Sequence, residues 1–382
     1  MQNMVTIAGA GPAGLQTAIR LAEYGWPTKV LEEHEKVGIP VNCSGLISAT
    51  GIKEAGINSE KILIDYIFGA KIFSPNGTML EVRRKKPVAH LISRCKLDEQ
   101  LRDLAVKKGV EVETNAKLIS VRKENVFYQK EKRGELLKSK IAVGADGAHS
   151  TVRELMGLKI GPENFVHAYQ EFVHGNFEPG MVEVHVGTIA PGFFAWIIPH
   201  SNKYAEIGIG TSMGKSNPKE MLDKFTEKIG LKRNYEIDRI ASALIPCGPP
   251  LKNLVKDNML LVGDAGFHAK ATTGGGIVLG MLAGNECAKT VHEYFSGKKP
   301  LENYNNYLKG IHKELNIHWK IQQAMRKFSD NDWNKLFKEM KQARVDEFLE
   351  EHGHMDRPSQ FIGKVLTTPR LWKFAGLAMK VI

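Results

Sequence analysis

The first 33 residues of the chain constrain its fold more than any other stretch. Val5-Thr6-Ile7-Ala8 reads as a short apolar strand, and Gly9-Ala10-Gly11-Pro12-Ala13-Gly14 follows it directly. Leu15 to Tyr24 then places Leu15, Ala18, Ile19 and Ala22 at helical spacing. After the Gly25-Trp26-Pro27 break, Thr28-Lys29-Val30-Leu31 reads as a second strand ending at Glu32. This is a βαβ unit with G-x-G-x-x-G in its first turn. Gly9 permits the tight turn, Gly11 lets the backbone approach a pyrophosphate, and Gly14 lets helix and strand pack closely. The helix start adds free N–H groups and a positive dipole end. The acid at the end of the second strand, Glu32 with Glu33 beside it, suits ribose hydroxyls and disfavours a 2′-phosphate, so the expected nucleotide is FAD or NAD.

At 382 residues the chain has room for two or three interleaved domains, and a 42% hydrophobic fraction is enough for a real core. Four cysteines (Cys43, Cys95, Cys247, Cys287) form no C-x-x-C pair and no zinc spacing, which points to a reduced, cytoplasmic protein without a metal. No secretory leader is expected ahead of Val5, and no apolar run is long enough to span a membrane. The net charge of +11 suits an anionic partner. The lysines are scattered and no nucleic-acid module is present, so anionic lipid or a phosphorylated substrate fits better than nucleic acid; a solubilising surface explains the charge equally well.

Further along, Gly38 to Leu46 is a Gly/Pro-punctuated loop, and Ala70-Lys71-Ile72-Phe73 and Met79-Leu80-Glu81-Val82 flank a Pro75-Asn76-Gly77 turn. Leu97 to Ala105 is a clear helix, Val110 to Val112 and Leu118 to Val121 read as strands, and Ile141 to Gly144 is a buried strand ending in Asp146-Gly147. A strand-rich, proline-punctuated stretch runs from about Gly161 to Leu254. Met259 to Val262 returns to a buried parallel strand, and Gly274-Gly275-Gly276 opens a long helix over Ile277 to Phe295. The expected architecture is α/β (α+β): a discontinuous Rossmann-like FAD-binding domain (1–60, 90–158, 255–298), an interleaved antiparallel-sheet substrate domain (61–89, 159–254) and a C-terminal helical region (299–382).

Two motifs join the N-terminal fingerprint: Gly144-Ala145-Asp146-Gly147, with Ser150, Val152 and Arg153 following, and Gly263-Asp264-Ala265-Gly266. In this order the three resemble those of flavoproteins with the aromatic-hydroxylase fold. The resemblance implies FAD, with Asp264 on the ribityl chain and Arg94 on the phosphate or ribityl region. Asp146 and Gly147 would stand at the cofactor cleft, with Gly9, Gly11, Ala13, Gly14, Glu32 and Glu33 on the dinucleotide. Gly274, Gly275, Gly276 and Ile277 would start a helix whose dipole faces the N1 and O2 edge of the isoalloxazine.

Within that superfamily the chain resembles the geranylgeranyl reductases. Pro40-Val41-Asn42-Cys43-Ser44-Gly45 matches their P-x-x-C-x-G loop, and Ile245-Pro246-Cys247-Gly248 and Thr272-Thr273-Gly274-Gly275-Gly276-Ile277 also match. Phe193-Phe194-Ala195-Trp196-Ile197-Ile198-Pro199 is similar to their Y-x-W-x-F-P motif, with Phe194 in place of tyrosine, Ile198 in place of phenylalanine and His200 where a lysine often stands. The same segment is one residue from the W-x-W-x-I-P motif of flavin-dependent halogenases. The reductase resemblance implies hydride delivery from reduced flavin N5 to an isolated prenyl double bond on an isoprenoid membrane lipid. An isolated alkene offers no carbonyl to stabilise developing charge, so proximity and a dry site must supply much of the rate.

Phe194, Trp196, Ile198 and Pro199 would line the apolar substrate tunnel, Trp196 with a catalytic part, and His268 would approach flavin or substrate or serve as a buried structural histidine. Cys43, placed with Gly45 near the isoalloxazine, would be a proton donor, redox partner or gate, or else a small buried thiol. An external donor would be required: ferredoxin, NAD(P)H or a deazaflavin. Leu371 to Lys380 mixes apolar bulk with lysines and Trp372, suiting a helix lying in a headgroup layer at the inner face of the cell membrane or one docked on the protein itself. The alternatives in function are an oxygen-using halogenase or monooxygenase, and a flavoprotein donating electrons to a quinone or partner.

Overall fold

Strands buried on both faces are what a parallel sheet requires, and all four residues of Val5–Ala8 and of Ile141–Gly144 are buried. In the computed structural model, which describes residues 4–214, 216–231, 235–353 and 356–371, these two strands pair in parallel, Val5 opposite Ile141. Thr28–Leu31 pairs on the other side, Val5 opposite Thr28. Glu111–Glu113, Met259–Leu261 and the antiparallel edge Val255–Lys256 complete a six-stranded sheet. Helix Pro12–Glu23 is the crossover between the first two strands, and Ile277–Phe295 packs along it. The apolar runs therefore enclose the main core, from Val5 and Ile7 through Leu15, Val143 and Leu260 to Met281.

A second, seven-stranded sheet runs in the order Glu236–Pro246, Phe165–His174, Tyr204–Ser212, Ala195–Pro199, Met181–His185, Gly69–Phe73, Met79–Arg83. Its one parallel junction is between Gly69–Phe73 and Met181–His185, where the hairpin built on Pro75-Asn76-Gly77 joins the later strands. Side chains alternate across it with period two. Val173, Ile197, Ile207 and Ile209 pack beneath helix Pro218–Lys228. The opposite face presents Ala168, Trp196 and Ile198 to Ile67, Ala89 and Leu91 of a small third sheet made by Leu46–Ser48, Ala89–Ile92 and Leu63–Ile67.

Two strands that pattern reading passes over, Asn125–Lys130 and Arg133–Lys138, form an antiparallel flap with Ala116–Arg122. Arg133–Lys138 is almost wholly exposed and charged, while Asn125–Lys130 buries only Val126 and Tyr128, so neither gives a strong apolar pattern.

Helices Lys309–Met325, Asp330–Gln342, Val345–His352 and Pro358–Thr367 follow. Asp330–Gln342 starts with a capping box between Ser329 and Asp332, and its Trp333 and Phe337 bury against Leu80 and Val186 of the seven-stranded sheet. Residues 372–382, most of the segment read as an interfacial or docked helix, lie outside the described residues. Among the described residues no helix is long and apolar enough to cross a membrane.

Candidate active site

The three N-terminal glycines have three separate physical reasons. Gly9 sits at φ +100°, and a Cβ there would come 2.3 Å from the Ala145 carbonyl oxygen. At Gly14 a Cβ would meet the Gly9 carbonyl at 2.1 Å. Gly11, the N-cap of helix Pro12–Glu23, has ordinary extended φ and ψ, and a Cβ there would meet no atom within 4 Å. The protein itself requires Gly9 and Gly14; Gly11 leaves room for something else. That room belongs to a cleft of about 420 Å³ at the ends of the parallel strands. An anion there would face the free amides at the helix start. The Glu32 carboxylate accepts from the Ala10 N–H (2.8 Å) and the His34 N–H (3.0 Å), which pins it at the cleft wall. Glu33, also on the wall, pairs with Lys117 at 2.7 Å.

The second motif closes the cleft from the other side. Asp146 accepts from Ser150 Oγ (2.5 Å) and the Val152 N–H (3.1 Å), so it braces Ser150, the N-cap of helix Thr151–Leu155, and burial raises its pKa. Gly147, at φ +74° with open space where a Cβ would be, lines the cleft beside it. Arg153, given no role by the sequence reading, is buried and donates to the carbonyls of Ala148 and Ala265, tying the second motif to the third. Asp264 lies against the start of helix Ile277–Phe295: a Cβ on the N-cap residue Gly276 would come 2.8 Å from Asp264 Oδ1. Burial raises its carboxyl pKa, opposed by Arg94 and Arg153. Ala13 lies beneath this turn, 2.8 Å from where a Cβ on Gly263 would be.

Arg94 Nη2 donates to both oxygens of Asp98 at 3.0 and 3.2 Å. Burial pulls its pKa down, but its interactions with Asp98 and the neighbouring Cys43 hold it above the usual value. Its Nε is buried with no partner among the described residues. The open Gly11 and Gly147, the helix start and this spare donor fit a dinucleotide diphosphate, while Glu32 and Asp264 fit its polyol groups. Cys43 is partly exposed, and its loop is held by Arg239, which donates to the Val41 carbonyl at 2.8 Å. Gly45, at φ +78°, packs so closely on strand Ala89–Ile92 that a Cβ would meet the Ile92 carbonyl at 2.1 Å.

On the apolar side the aromatics stand in a row. Phe193 and Phe194 stack with centroids 4.2 Å apart, and Phe194 meets Trp196 edge-on at 5.8 Å. The Phe193 ring lies 3.5 Å from the Cβ position of Gly274, so the row ends against the glycine turn that starts the long helix. Gly275 packs on the Lys270 side chain. Ile198 faces the small third sheet with Trp196, and Pro199 ends the strand, buried.

Known proteins share both halves of this arrangement. The family model for an FAD binding domain matches residues 2–178, and that for the geranylgeranyl reductase catalytic domain matches 164–244. Digeranylgeranylglycerophospholipid reductase from Methanococcus vannielii is 30% identical over 349 residues, 87% of this chain and 89% of that protein. The chain belongs to the geranylgeranyl reductase family. It is an FAD-dependent oxidoreductase. The protein of the same name from Methanocaldococcus jannaschii is 29% identical over 87% of this chain and 89% of its own length. Among solved structures, a geranylgeranyl bacteriochlorophyll reductase-like protein from Thermoplasma acidophilum superposes with a TM-score of 0.82 at 22% identity, covering 88% of this chain and 91% of that one. A flavin-dependent brominase superposes at 0.69 with 17% identity over 92% and 94%. At that identity the likeness extends to the fold alone.

The reductase carries polar groups on its seven-stranded sheet that the motifs did not single out. Trp196 Nε1 donates to Glu206 Oε1 at 2.8 Å, and Glu206 is 0% exposed. The indole lies flat over Gly208, where a Cβ would be 2.3 Å from its ring. Glu206 Oε2 and the Gln170 Nε2 nearby on the sheet are buried with no partner among the described residues. Arg239 stacks 3.7 Å above the Phe172 ring, and burial together with Arg239 pushes His200 down to about 4. A lone acid at an inward position of the apolar strand Tyr204–Ser212 was the available signal for Glu206.

Burial pushes the Glu206 carboxyl from 4.5 up to about 7, against the pull of the Trp196 N–H and Arg239. The folded state therefore keeps a proton that the unfolded chain releases. Its stability falls as pH rises from about 4.5 to about 7, by about 3 kcal/mol in all. The Glu206→Gln variant retains an acceptor for Trp196 and is expected to lose this component. Urea denaturation at pH 5 and pH 8 checks it; a pH dependence identical to that of the parent protein would refute the assignment.

His268 is fully buried, and its ring neighbour is His312 of helix Lys309–Met325, at 6.0 Å, not an aromatic of the Trp196 row. Burial and His312 push it down to about 3, so it is neutral, and both its ring nitrogens are buried with no hydrogen-bond partner among the described residues. No group of three or more His, Cys, Asp or Glu able to hold a metal occurs among the described residues.

Proposed function

We propose that this reductase saturates isolated double bonds of geranylgeranyl chains carried on an isoprenoid membrane lipid. FAD would lie along the glycine turn and Arg94, with its ring edge toward Gly274 to Gly276. When bound and reduced, the flavin supplies a hydride from N5; an external donor, whether ferredoxin, a nicotinamide or a deazaflavin, renews it. The observation that carries the reading is the aromatic row Phe193–Phe194–Trp196 ending at the Gly274 turn. It offers a flexible apolar chain a dry wall that leads to the flavin edge. Cys43, partly exposed and beside the Arg94 guanidinium, would supply the proton for the second alkene carbon. The printed names of the relatives, digeranylgeranylglycerophospholipid reductases, support a lipid-borne chain. The net charge of +11 supports contact with an anionic headgroup layer.

The test is anaerobic incubation of dithionite-reduced holoenzyme with geranylgeranyl lipids, read by mass spectrometry. A ladder of two-hydrogen gains is expected. Trp196→Ala and Cys43→Ala are each expected to slow it about 100-fold while FAD stays bound. A folded, flavin-loaded protein that adds no hydrogen would overturn the reading in favour of oxygen-using or electron-transfer chemistry.

A further inference from the structure

A second cavity, of about 140 Å³, opens between the loop at residues 187–194 and the C-terminal helices. Its walls mix apolar side chains (Phe193, Phe194, Met325, Phe328, Trp333) with Thr188, Thr272 and Gln322. Its one cationic lining residue is Arg326, whose Nη1 donates to the Glu163 carbonyl at 2.9 Å. The guanidinium Nε and Nη2 are both buried with no partner among the described residues. Acids stand near but are engaged elsewhere. The Glu163 carboxylate accepts from Asn164 at 2.9 Å, and Asp330 accepts from the Thr188 N–H and hydroxyl at 2.7 and 2.8 Å. Burial pulls the Arg326 pKa down, opposed by Cys247 and Glu163. Arg326 is partly buried at the cavity wall, and its two unsatisfied donors leave it short of hydrogen-bond partners that an anion would supply. Two parallel N–H donors match the paired oxygens of a phosphate.

The cavity shares a wall with the site already described. Phe193 and Phe194 belong to both, and the Phe193 ring lies 3.5 Å from the Cβ position of Gly274. A ligand with its anionic end on Arg326 would have its apolar part on the aromatic row that leads to the flavin edge.

We infer that Arg326 binds the phosphate of a prenyl phospholipid headgroup and so sets which end of the chain enters toward Gly274. This rests on the function proposed above, but its test does not. Phytanyl phosphate and phytanol, saturated and inert, are titrated into the FAD-loaded protein and followed by tryptophan fluorescence, Trp333 lying in the cavity wall. Phosphate over alcohol is expected to be preferred about tenfold or more. Arg326→Met should abolish that preference and leave phytanol affinity within about twofold, while Arg326→Lys should keep part of it. Flavin absorbance of each variant reports that it is folded, and Arg326→Lys decides the matter alone if Arg326→Met does not fold.

Retention of the full preference in the folded variants overturns the proposal. So does inorganic phosphate displacing phytanyl phosphate at equal concentration, which would mark a free-phosphate site. If the preference depends on Arg326 but no alkene is ever reduced, the anion site stands and the proposed reaction falls. If alkenes are reduced and the KM for phosphorylated substrate is unchanged in Arg326→Met, the reverse holds.

Discussion

Gly11→Val is expected to yield a folded protein that has lost FAD, whereas Gly9→Ala is expected to damage the fold itself. The two residues stand in one motif and differ in what surrounds them. At Gly9 the backbone is at φ +100°, and a methyl would come 2.3 Å from the Ala145 carbonyl, at the junction of two neighbouring parallel strands. The left-handed conformation and the collision with rigid backbone together should destabilise by about 3 kcal/mol or more. At Gly11 the backbone is extended, and a Cβ meets nothing within 4 Å. Valine there should cost the apoprotein no more than about 1 kcal/mol as a poorer N-cap. It would occupy the space facing the helix amides, and FAD affinity should fall at least about 100-fold, or roughly 3 kcal/mol. Urea denaturation of the apoproteins and flavin titration separate the two effects. Stoichiometric FAD in Gly11→Val would remove the cleft from consideration as the diphosphate site.

Asp356→Ala should be the most damaging single change in the C-terminal region. Asp356 lies between helices Val345–His352 and Pro358–Thr367, yet its carboxylate reaches Lys270 Nζ at 2.5 Å, and both residues are buried. Its second oxygen accepts from the Ser48 hydroxyl, which itself accepts from the Gly51 N–H to cap helix Ala49–Glu54. Lys270 in turn accepts a hydrogen bond through its carbonyl from the Gly274 N–H and donates from its own N–H to Gly275. One carboxylate thus joins the C-terminal region, the strand after the Cys43 loop and the glycine turn at the proposed flavin edge. Its removal leaves a buried, uncompensated ammonium, and a loss of about 3–5 kcal/mol is expected. Removing both charges in Lys270→Met/Asp356→Leu should recover much of that. Denaturation midpoints for the two singles and the double measure it. An Asp356→Ala protein within about 1 kcal/mol of the parent would show that the pair contributes little.

These two cases mark how far the chain could be read unaided. The Gly9 turn, the crossover helix and the strand Thr28–Leu31 lie within 27 residues of one another, so their contacts are written in local pattern: glycine spacing, a 3.6-residue period, an acid at a strand end. Helix Ile277–Phe295 was legible for the same reason, opened by glycines and apolar along one side. The motifs found Trp196 and Cys43 but not the residues that hold them. Trp196 bonds to Glu206, 10 residues on, across a sheet register; Lys270 meets Asp356 over 86 residues; Arg326 meets Glu163 over 163; and Arg239 holds the Cys43 loop over 198. A charged residue looks the same in sequence whether it ends in solvent or in a core. Local pattern along the chain determined the nucleotide-binding half and its chemistry. Only the packing of sheet, glycine turn and C-terminal helices decided which charges were buried, because that depends on contacts between residues far apart in sequence.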